Sequence, residues 1–328
     1  MPTNDRLVFY GTRRYAIPTL DALRESERTP LLIVAEMEPL PDEPEEPWGP
    51  YEPPAPWDDA VAAWAREHDV PLVLVEDADS DDLVTRVKEL EADAGVAVAF
   101  RLPLPKRLID LPTHGTIGVH PSLLPKYRGP SPIRASLNGG ESKAGVTTIQ
   151  LTEDVDAGPI LLQEEVPVEP SDTYPTLHDQ LATLGATLGL QTVEVLGKKG
   201  RGKLKPRQQN EKSATTVPLI DHSHRKVPWS LEADGVFNRL RAFGPEDGLV
   251  TYFKLRPVEV LSGMPLEWVQ APFGNTGTYL GMRQGRLAIL CGNNSVFGID
   301  RLRRPGSEAM SAADFVKTEE MRVGDSFV

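Results

Sequence analysis

His120 and Asp156 are the residues best suited to chemistry in this chain, because each lies in a polar turn that follows an apolar segment. His120 ends the apolar run 116–119, and Asp156 lies in the turn 153–158. An imidazole that a carboxylate orients can hydrogen-bond an oxyanion and transfer a proton at a carbonyl group. Ser122 adds a hydroxyl to the loop after His120. We therefore predict a carbonyl-directed site in which His120, Asp156 and Ser122 are catalytic and Gly118, two residues before His120, belongs to the same catalytic set.

These side chains need a scaffold of strands that end at one edge. Short apolar runs alternate with stretches of helical periodicity, and the runs lie at residues 6–10, 31–35, 71–75, 95–100 and 116–119. Near-continuous apolar strands alternating with helices are typical of a doubly wound, mostly parallel α/β sheet with both faces covered. Ligands of such Rossmann-like sheets bind at the carboxyl ends of the strands, which is where His120 lies. A further helix is predicted from Tyr174 to Leu196, with Ser171 or Asp172 as its cap.

The composition changes near residue 219, where short strands separated by Gly and Pro turns begin. This spacing predicts a small, OB-like β-barrel. The predicted elements are a helix at 231–243, strands at 251–255, 258–261, 276–283, 286–291 and 296–302, and a helix at 311–316. We predict a catalytic domain over residues 1–197, a basic linker over 198–218 and the barrel domain over 219–328.

The charge of the chain is unevenly distributed. The net charge of the 328 residues is −13, and residues 36–59 hold nine acids without a Lys or Arg. Eight prolines in 39–56 exclude a helix or a central strand there, so we expect a long loop that is either a solvated spacer or a lid or partner-binding arm. Residues 198–212 hold seven cations and one acid. The single cysteine, Cys291, excludes a disulfide within the chain and is predicted to be core.

Several common sites are absent from the sequence. It lacks a phosphate-binding Gly-x-x-x-x-Gly-Lys-Ser/Thr loop, a Gly-x-Gly-x-x-Gly turn and a Gly-x-Ser-x-Gly elbow, so we predict no NAD. Residues 221–224 could ligate a metal, but the edge of a solvated linker fits them better, and we predict no metal. Neither a signal peptide nor a membrane span is evident, so a cytoplasmic protein without membrane contact is expected.

Two motifs in fixed order carry a family resemblance. The first is His120-x-Ser-Leu-Leu-Pro-x-x-Arg-Gly129, and the second is Asp156-x-Gly158. Together with residues 145–150 they resemble the folate-dependent formyltransferases, most closely the methionyl-tRNA formyltransferases. The resemblance continues into the second domain at residues 227–230, 239–243 and 309–312, and thus covers nearly the whole chain.

The resemblance implies transfer of a formyl group from 10-formyltetrahydrofolate to an amine, with the amino group of methionyl-tRNA as the default acceptor. His120 would stabilise the tetrahedral intermediate, with Asp156 orienting it. The partners implied are the folate donor and tRNA, bound by a monomer. The implied folate-binding residues are Phe100, Arg101, Leu102, Leu104, Ser122, Leu123, Leu124, Pro125, Leu151, Thr152, Glu153 and Asp154. The implied nucleic-acid-binding residues are Lys198, Lys199, Arg201, Lys203, Lys205 and Arg207.

Three departures from the family pattern leave the acceptor open. Gly118 stands where the family's transferases carry an Asn that donates to the oxyanion. Ala99-Phe100-Arg101 replaces Ala-Tyr-Gly, and Arg101 would either crowd the folate pocket or pair with the folate's glutamate tail. The acidic segment stands where the tRNA enzymes carry a basic insertion. A 10-formyltetrahydrofolate hydrolase, a binding protein without turnover and an amino-sugar formyltransferase therefore remain as alternatives.

Overall fold

The computed structural model describes residues 5–37, 60–197, 204–220, 222–267 and 274–328. The predicted proline-rich loop therefore lies outside the described residues, apart from Glu36 and Met37. The same holds for Asp221 of the sequence 221–224 that was considered as a metal site. None of the described helices is long and apolar enough to cross a membrane.

The first part of the chain forms a seven-stranded sheet in the order β3-β2-β1-β4-β5-β6-β7. The first five strands are parallel, whereas β6 and β7 are antiparallel to their neighbours. This arrangement confirms the predicted doubly wound, mostly parallel fold. The strands are β1 (Leu7–Gly11), β2 (Leu32–Glu36), β3 (Leu72–Val75), β4 (Ala94–Val98), β5 (Thr116–His120), β6 (Lys143–Gln150) and β7 (Ile160–Pro167).

Helices cover both faces of this sheet. Alternate residues of β1 enter different cores: Leu7 and Phe9 pack in one, and Val8 and Tyr10 in the other. Because both faces are covered, the strands read as continuous apolar runs. The helices are α1 (Ile17–Glu25), α2 (Ala60–Glu67), α3 (Asp81–Glu89), α4 (Lys106–Ile109), α5 (Pro132–Asn138) and α6 (Tyr174–Gly197).

The second part of the chain is an antiparallel sheet in the order β10-β11-β12-β9-β8, with β13 on β12. The chain end closes this sheet, because Val328 exchanges two backbone hydrogen bonds with Tyr252 of β8 while Tyr279 of β10 donates to the Asp325 carbonyl. The predicted barrel is thus confirmed. Its elements are α7 (Ala233–Asp247), β8 (Leu249–Phe253), β9 (Arg256–Leu266), β10 (Tyr279–Arg283), β11 (Arg286–Leu290), β12 (Val296–Arg303), β13 (Met310–Ser311) and α8 (Ala312–Thr318).

Two local predictions were wrong. Neither Ser171 nor Asp172 directly precedes α6, which begins at Tyr174 after Thr173; the Asp172 carboxylate instead accepts from the Glu169 N–H and the Thr176 hydroxyl. Glu36 was assigned to the acidic loop but is the last residue of β2 and is buried. Cys291 is buried as predicted.

Candidate active site

His120 is the last residue of β5 and is buried, with its side chain only 9% exposed. Its Nε2 lies 2.9 Å from the Tyr127 carbonyl oxygen, which can only accept, so this nitrogen donates. Its Nδ1 lies 3.4 Å from Asp156 Oδ2. Each ring nitrogen thus faces an oxygen, and the predicted pairing of His120 with Asp156 is present in the geometry. His120 comes from the end of β5, and Asp156 comes from the turn between β6 and β7.

Asp156 holds an uncommon backbone conformation, with φ at 52°. Aspartate tolerates this left-handed region better than most residues, but it still needs support from its surroundings. One support comes from the loop after His120, where the Gly129 N–H donates to Asp156 Oδ2 at 2.8 Å. The carboxylate is therefore aimed at the imidazole from a backbone position that hydrogen bonds hold.

Ser122 uses its hydroxyl to close the loop after β5 rather than to contact His120. Its Oγ donates to the Lys126 carbonyl at 2.7 Å, and its own carbonyl accepts from the Thr147 hydroxyl at 2.6 Å. Leu124 in the same loop is buried and donates its N–H to Thr147 at 3.2 Å. The loop that presents His120 is thus tied to β6 through Thr147.

Gly118 lies in β5 under the side chain of Leu151. A Cβ on Gly118 would lie 2.7 Å from Leu151 Cδ2 and 3.3 Å from Ile149 Cγ1. Leu151 itself packs against the buried residues Leu124, Ile149 and Ile160. Apolar packing therefore fills the space into which a side chain at position 118 would grow.

The predicted folate-binding residues lie on two sides of the strand that carries His120. β4 pairs with β5 with Val98 opposite Val119, so residues 100–104 leave the sheet beside His120. In that segment Phe100, Leu102 and Leu104 are partly buried against the core that contains Val8 and Tyr10. The rings of Phe100 and Tyr10 meet edge-on, with 5.9 Å between their centroids. On the other side, residues 152–154 form an exposed turn after β6. Leu123 and Pro125 lie in the loop after His120.

Arg101 has a partner within the protein. Its Nε lies 3.0 Å from Glu36 Oε2, and its backbone N–H also donates to that carboxylate. The Glu36 side chain is 5% exposed, and that of Arg101 is 35% exposed. The guanidinium is therefore oriented toward the end of β2, a contact that the sequence did not indicate.

The described part of the predicted linker crosses both loops of the predicted site, which the sequence also did not indicate. Arg128 is buried and donates to Gln209 Oε1 at 2.9 and 3.1 Å and to the two oxygens of Glu211 at 2.7 and 3.0 Å. The Gln209 amide in turn donates to the carbonyls of Asp156 and Gly158 at 2.7 and 2.8 Å. The predicted nucleic-acid residues Lys205 and Arg207 are exposed in this segment, whereas Lys198, Lys199, Arg201 and Lys203 lie outside the described residues.

Several groups around the His120 loop have shifted pKa values. The hydrogen bond to Glu211 raises the pKa of Arg128, and the same contact lowers the pKa of Glu211. Hydrogen bonding from the Tyr127 hydroxyl lowers the pKa of Glu141, which Lys126 also contacts at 3.0 Å. Within the described ranges, no cluster of three or more His, Cys, Asp or Glu side chains could hold a metal ion.

Comparison with known proteins identifies the family. The formyl transferase family model matches residues 65–193, and the model of the formyl transferase C-terminal domain matches residues 219–320. A methionyl-tRNA formyltransferase of Heliobacterium modesticaldum is 33% identical over 98% of this chain and 99% of its own length. One from Anaeromyxobacter dehalogenans is 32% identical over 97% of this chain and 99% of its own.

A solved structure shares the fold at low identity. The N-formyltransferase of Helicobacter canadensis, solved with folinic acid and dTDP-3-aminofucose, has a TM-score of 0.61 and 14% identity, covering 90% of this chain and 98% of that chain. The likeness supports the fold alone. The sequence similarity over the full length, with both family domains matched, carries the assignment: the chain belongs to the formyltransferase family of enzymes.

Proposed function

We propose that this protein transfers the formyl group of 10-formyltetrahydrofolate to the amino group of methionyl-tRNA. The observation that carries the proposal is the placement of His120, paired with Asp156, at the carboxyl end of β5. The similarity of the whole chain to methionyl-tRNA formyltransferases supports the acceptor. We further propose that it acts in the cytoplasm as a monomer.

The residues of the site suit a folate donor, which supplies the formyl group when it is bound. Phe100, Leu102 and Leu104 offer a partly buried apolar wall on which a flat ring can pack. The exposed turn 152–154 offers backbone N–H and carbonyl groups for the polar edge of such a ring. Leu124 and Leu151 belong to one apolar cluster, and Leu151 packs over Gly118 in the strand that carries His120.

His120 is the proton-handling group in this proposal. Its Nε2 donates to the Tyr127 carbonyl, and the oxygen on which charge develops would replace that carbonyl as the acceptor. The Asp156 carboxylate keeps the ring oriented and stabilises a proton on Nδ1 while that happens. Loss of one such donor typically slows catalysis about 10²–10³-fold.

The three segments of the chain have separate roles in this proposal. Residues 1–197 hold the donor and the catalytic pair, residues 198–218 form the basic linker, and residues 219–328 form the barrel that faces the acceptor. Exposed Lys205 and Arg207 belong to the linker and would contact phosphates. Lys205→Ala should weaken tRNA binding and reduce the slope of binding against salt by about one, while Lys88→Ala on α3 should leave both unchanged.

The test supplies 10-formyltetrahydrofolate to the full chain with and without methionyl-tRNA and measures both formylated tRNA and released tetrahydrofolate. We expect formylation that depends on the charged tRNA and that His120→Ala abolishes. His114→Ala is the matched control, because His114 precedes β5 at the opposite edge of the sheet. Donor turnover in the wild type that ignores tRNA would contradict the proposed acceptor.

A second candidate function is hydrolysis of 10-formyltetrahydrofolate, and Gly118 is the observation that favours it. A transferase of this family uses an Asn amide at this position, whereas here Leu151 packs over a glycine. Without that amide, water is the simplest acceptor. Release of formate at equal rates with and without tRNA supports this candidate. Donor turnover that occurs only when methionyl-tRNA is present excludes it.

A further inference from the structure

The linker residues 207–217, here called the crossing segment, form short backbone ladders with both loops of the site. Arg207 exchanges two hydrogen bonds of 2.8 Å with Ile160, just after the Asp156 turn. Farther along, Thr215 donates to the Pro125 carbonyl at 3.1 Å and accepts from the Arg128 N–H at 2.8 Å. The crossing segment therefore joins the His120 loop to the Asp156 turn.

Gly129 shows how closely the crossing segment approaches. The φ of Gly129 is 112°, and a Cβ there would meet the carbonyl oxygen of Val217. Val217 also donates its N–H to the Arg128 carbonyl at 2.8 Å. The Gly129 N–H is the group that holds Asp156 Oδ2, so the same glycine serves the catalytic pair and the linker.

Gln209 and Gly129 support Asp156 at different atoms. The Asp156 carbonyl accepts from Gln209 Nε2 at 2.7 Å, while the Asp156 carboxylate accepts from the Gly129 N–H. The left-handed backbone of Asp156 is thus held at both its carbonyl and its carboxylate. Such a conformation persists only where the surroundings determine it.

Arg128 determines which way the Gln209 amide faces. Because the guanidinium only donates, the Gln209 oxygen must lie toward Arg128 and its NH₂ group toward the carbonyls of Asp156 and Gly158. Glu211 holds the other side of the guanidinium through two oxygens. The charged groups around this contact are Arg128, Glu211, Asp154 and Asp156.

We propose that Gln209 is a positioning residue that acts through Asp156 on His120, so that the interdomain linker completes the active site. This inference rests on the proposed function for its kinetic consequences. Gln209 touches neither ring nitrogen of His120; it keeps the Asp156 turn where its carboxylate faces Nδ1. Small displacements of a catalytic group can cost about 100-fold in rate.

The test compares three variants of the full chain. Gln209→Ala removes the side chain, and Gln209→Glu keeps an acceptor for Arg128 while losing both donated hydrogen bonds. Gln208→Ala is the control, because this exposed neighbour lies on the same segment. Formyl transfer is measured together with the NMR chemical shifts of the His120 imidazole, whose signals are assigned by their loss in His120→Ala.

We expect kcat to fall about tenfold to 100-fold in both Gln209 variants, with the KM for 10-formyltetrahydrofolate within about twofold of the wild type. The imidazole signals of His120 should shift in both variants and stay in place in Gln208→Ala. Unchanged His120 signals in Gln209→Ala overturn the inference, whatever the Tm does. If the wild type does not formylate methionyl-tRNA, the proposed function fails, and the imidazole signals still decide the role of Gln209.

Discussion

Two polar contacts lie at the carboxyl edge of the parallel sheet and are held in different ways. At the end of β5, the pair His120–Asp156 is supported by groups from the following loop and from the linker. At the ends of β2 and β4, the Glu36 carboxylate contacts the side chain and the backbone N–H of Arg101. The first arrangement orients the imidazole of His120, while the second neutralises a buried charge. Substitutions at the first should therefore affect rate, and those at the second should affect stability.

The largest effect is expected from Asp156→Asn. The amide oxygen can still accept from the Gly129 N–H, but the negative charge that faces His120 Nδ1 is lost. We expect kcat to fall about 10²–10³-fold with little change in the Tm. Asp69→Asn is the control. Asp69 also has a positive φ, at 55°, but it is exposed on the surface after α2. If Asp156→Asn lowers the free energy of unfolding by as much as it raises the activation barrier, the His120–Asp156 contact serves stability as the Glu36–Arg101 contact does, and the comparison fails.

Arg101→Ala should reverse that pattern. It leaves the Glu36 carboxylate, whose side chain is 5% exposed, without its guanidinium. Removing one partner of a fully buried ion pair costs about 3 kcal/mol or more. Because the Arg101 side chain is 35% exposed and the backbone N–H at position 101 still donates to Glu36 in the variant, we expect a smaller loss of about 2 kcal/mol in the free energy of unfolding. Chemical denaturation measures it, and the double variant Glu36→Gln with Arg101→Ala should recover most of it. A cost below about 1 kcal/mol would mean that solvent replaces Arg101.

Gly118→Asn tests whether packing or chemistry separates this chain from the family pattern. The new side chain must displace Leu151, so we expect a loss of about 1–3 kcal/mol in the free energy of unfolding. Adding Leu151→Ala should relieve that clash and raise transfer to methionyl-tRNA relative to Leu151→Ala alone. Equal transfer rates in these two variants would exclude Gly118 as the limiting position.

The smallest effect concerns acid stability of the His120 loop. Glu141 accepts from the Tyr127 hydroxyl at 2.7 Å, and its pKa is lowered from 4.5 in the folded protein, so this contact stabilises above about pH 4.5 and is lost as the pH falls through the lowered pKa. The carboxylate is 30% exposed, so we expect less than about 1 kcal/mol. Unfolding of the wild type should depend more steeply on pH below 4.5 than that of Glu141→Gln. Identical pH profiles would contradict the role of Glu141.

Elements with strong periodicity were predictable, whereas α2 was not. Continuous apolar runs indicated β1 to β5 because both faces of the sheet are covered, and β5 placed His120 at a carboxyl edge. The helix α2 follows closely after the proline-rich segment, and its eight residues carry too short an apolar pattern to distinguish a helix from the end of that segment. The cap of α6 was misplaced because several polar residues precede that helix, and only the backbone shows which of them lies next to it.

The sequence by itself determined that His120 and Asp156 are the candidate pair for the proposed chemistry, because the order and spacing of the motifs around them resemble those of one family and lie at predicted strand ends. Only the tertiary structure decided what holds that pair. Gln209 lies 53 residues from its partner Asp156, and Arg101 lies 65 residues from Glu36. Periodicity reports which face of an element is buried, but it carries no information about which polar side chains meet across elements. Those contacts arise when the sheet and the linker pack, and they place Gln209 beside Asp156 and Leu151 over Gly118.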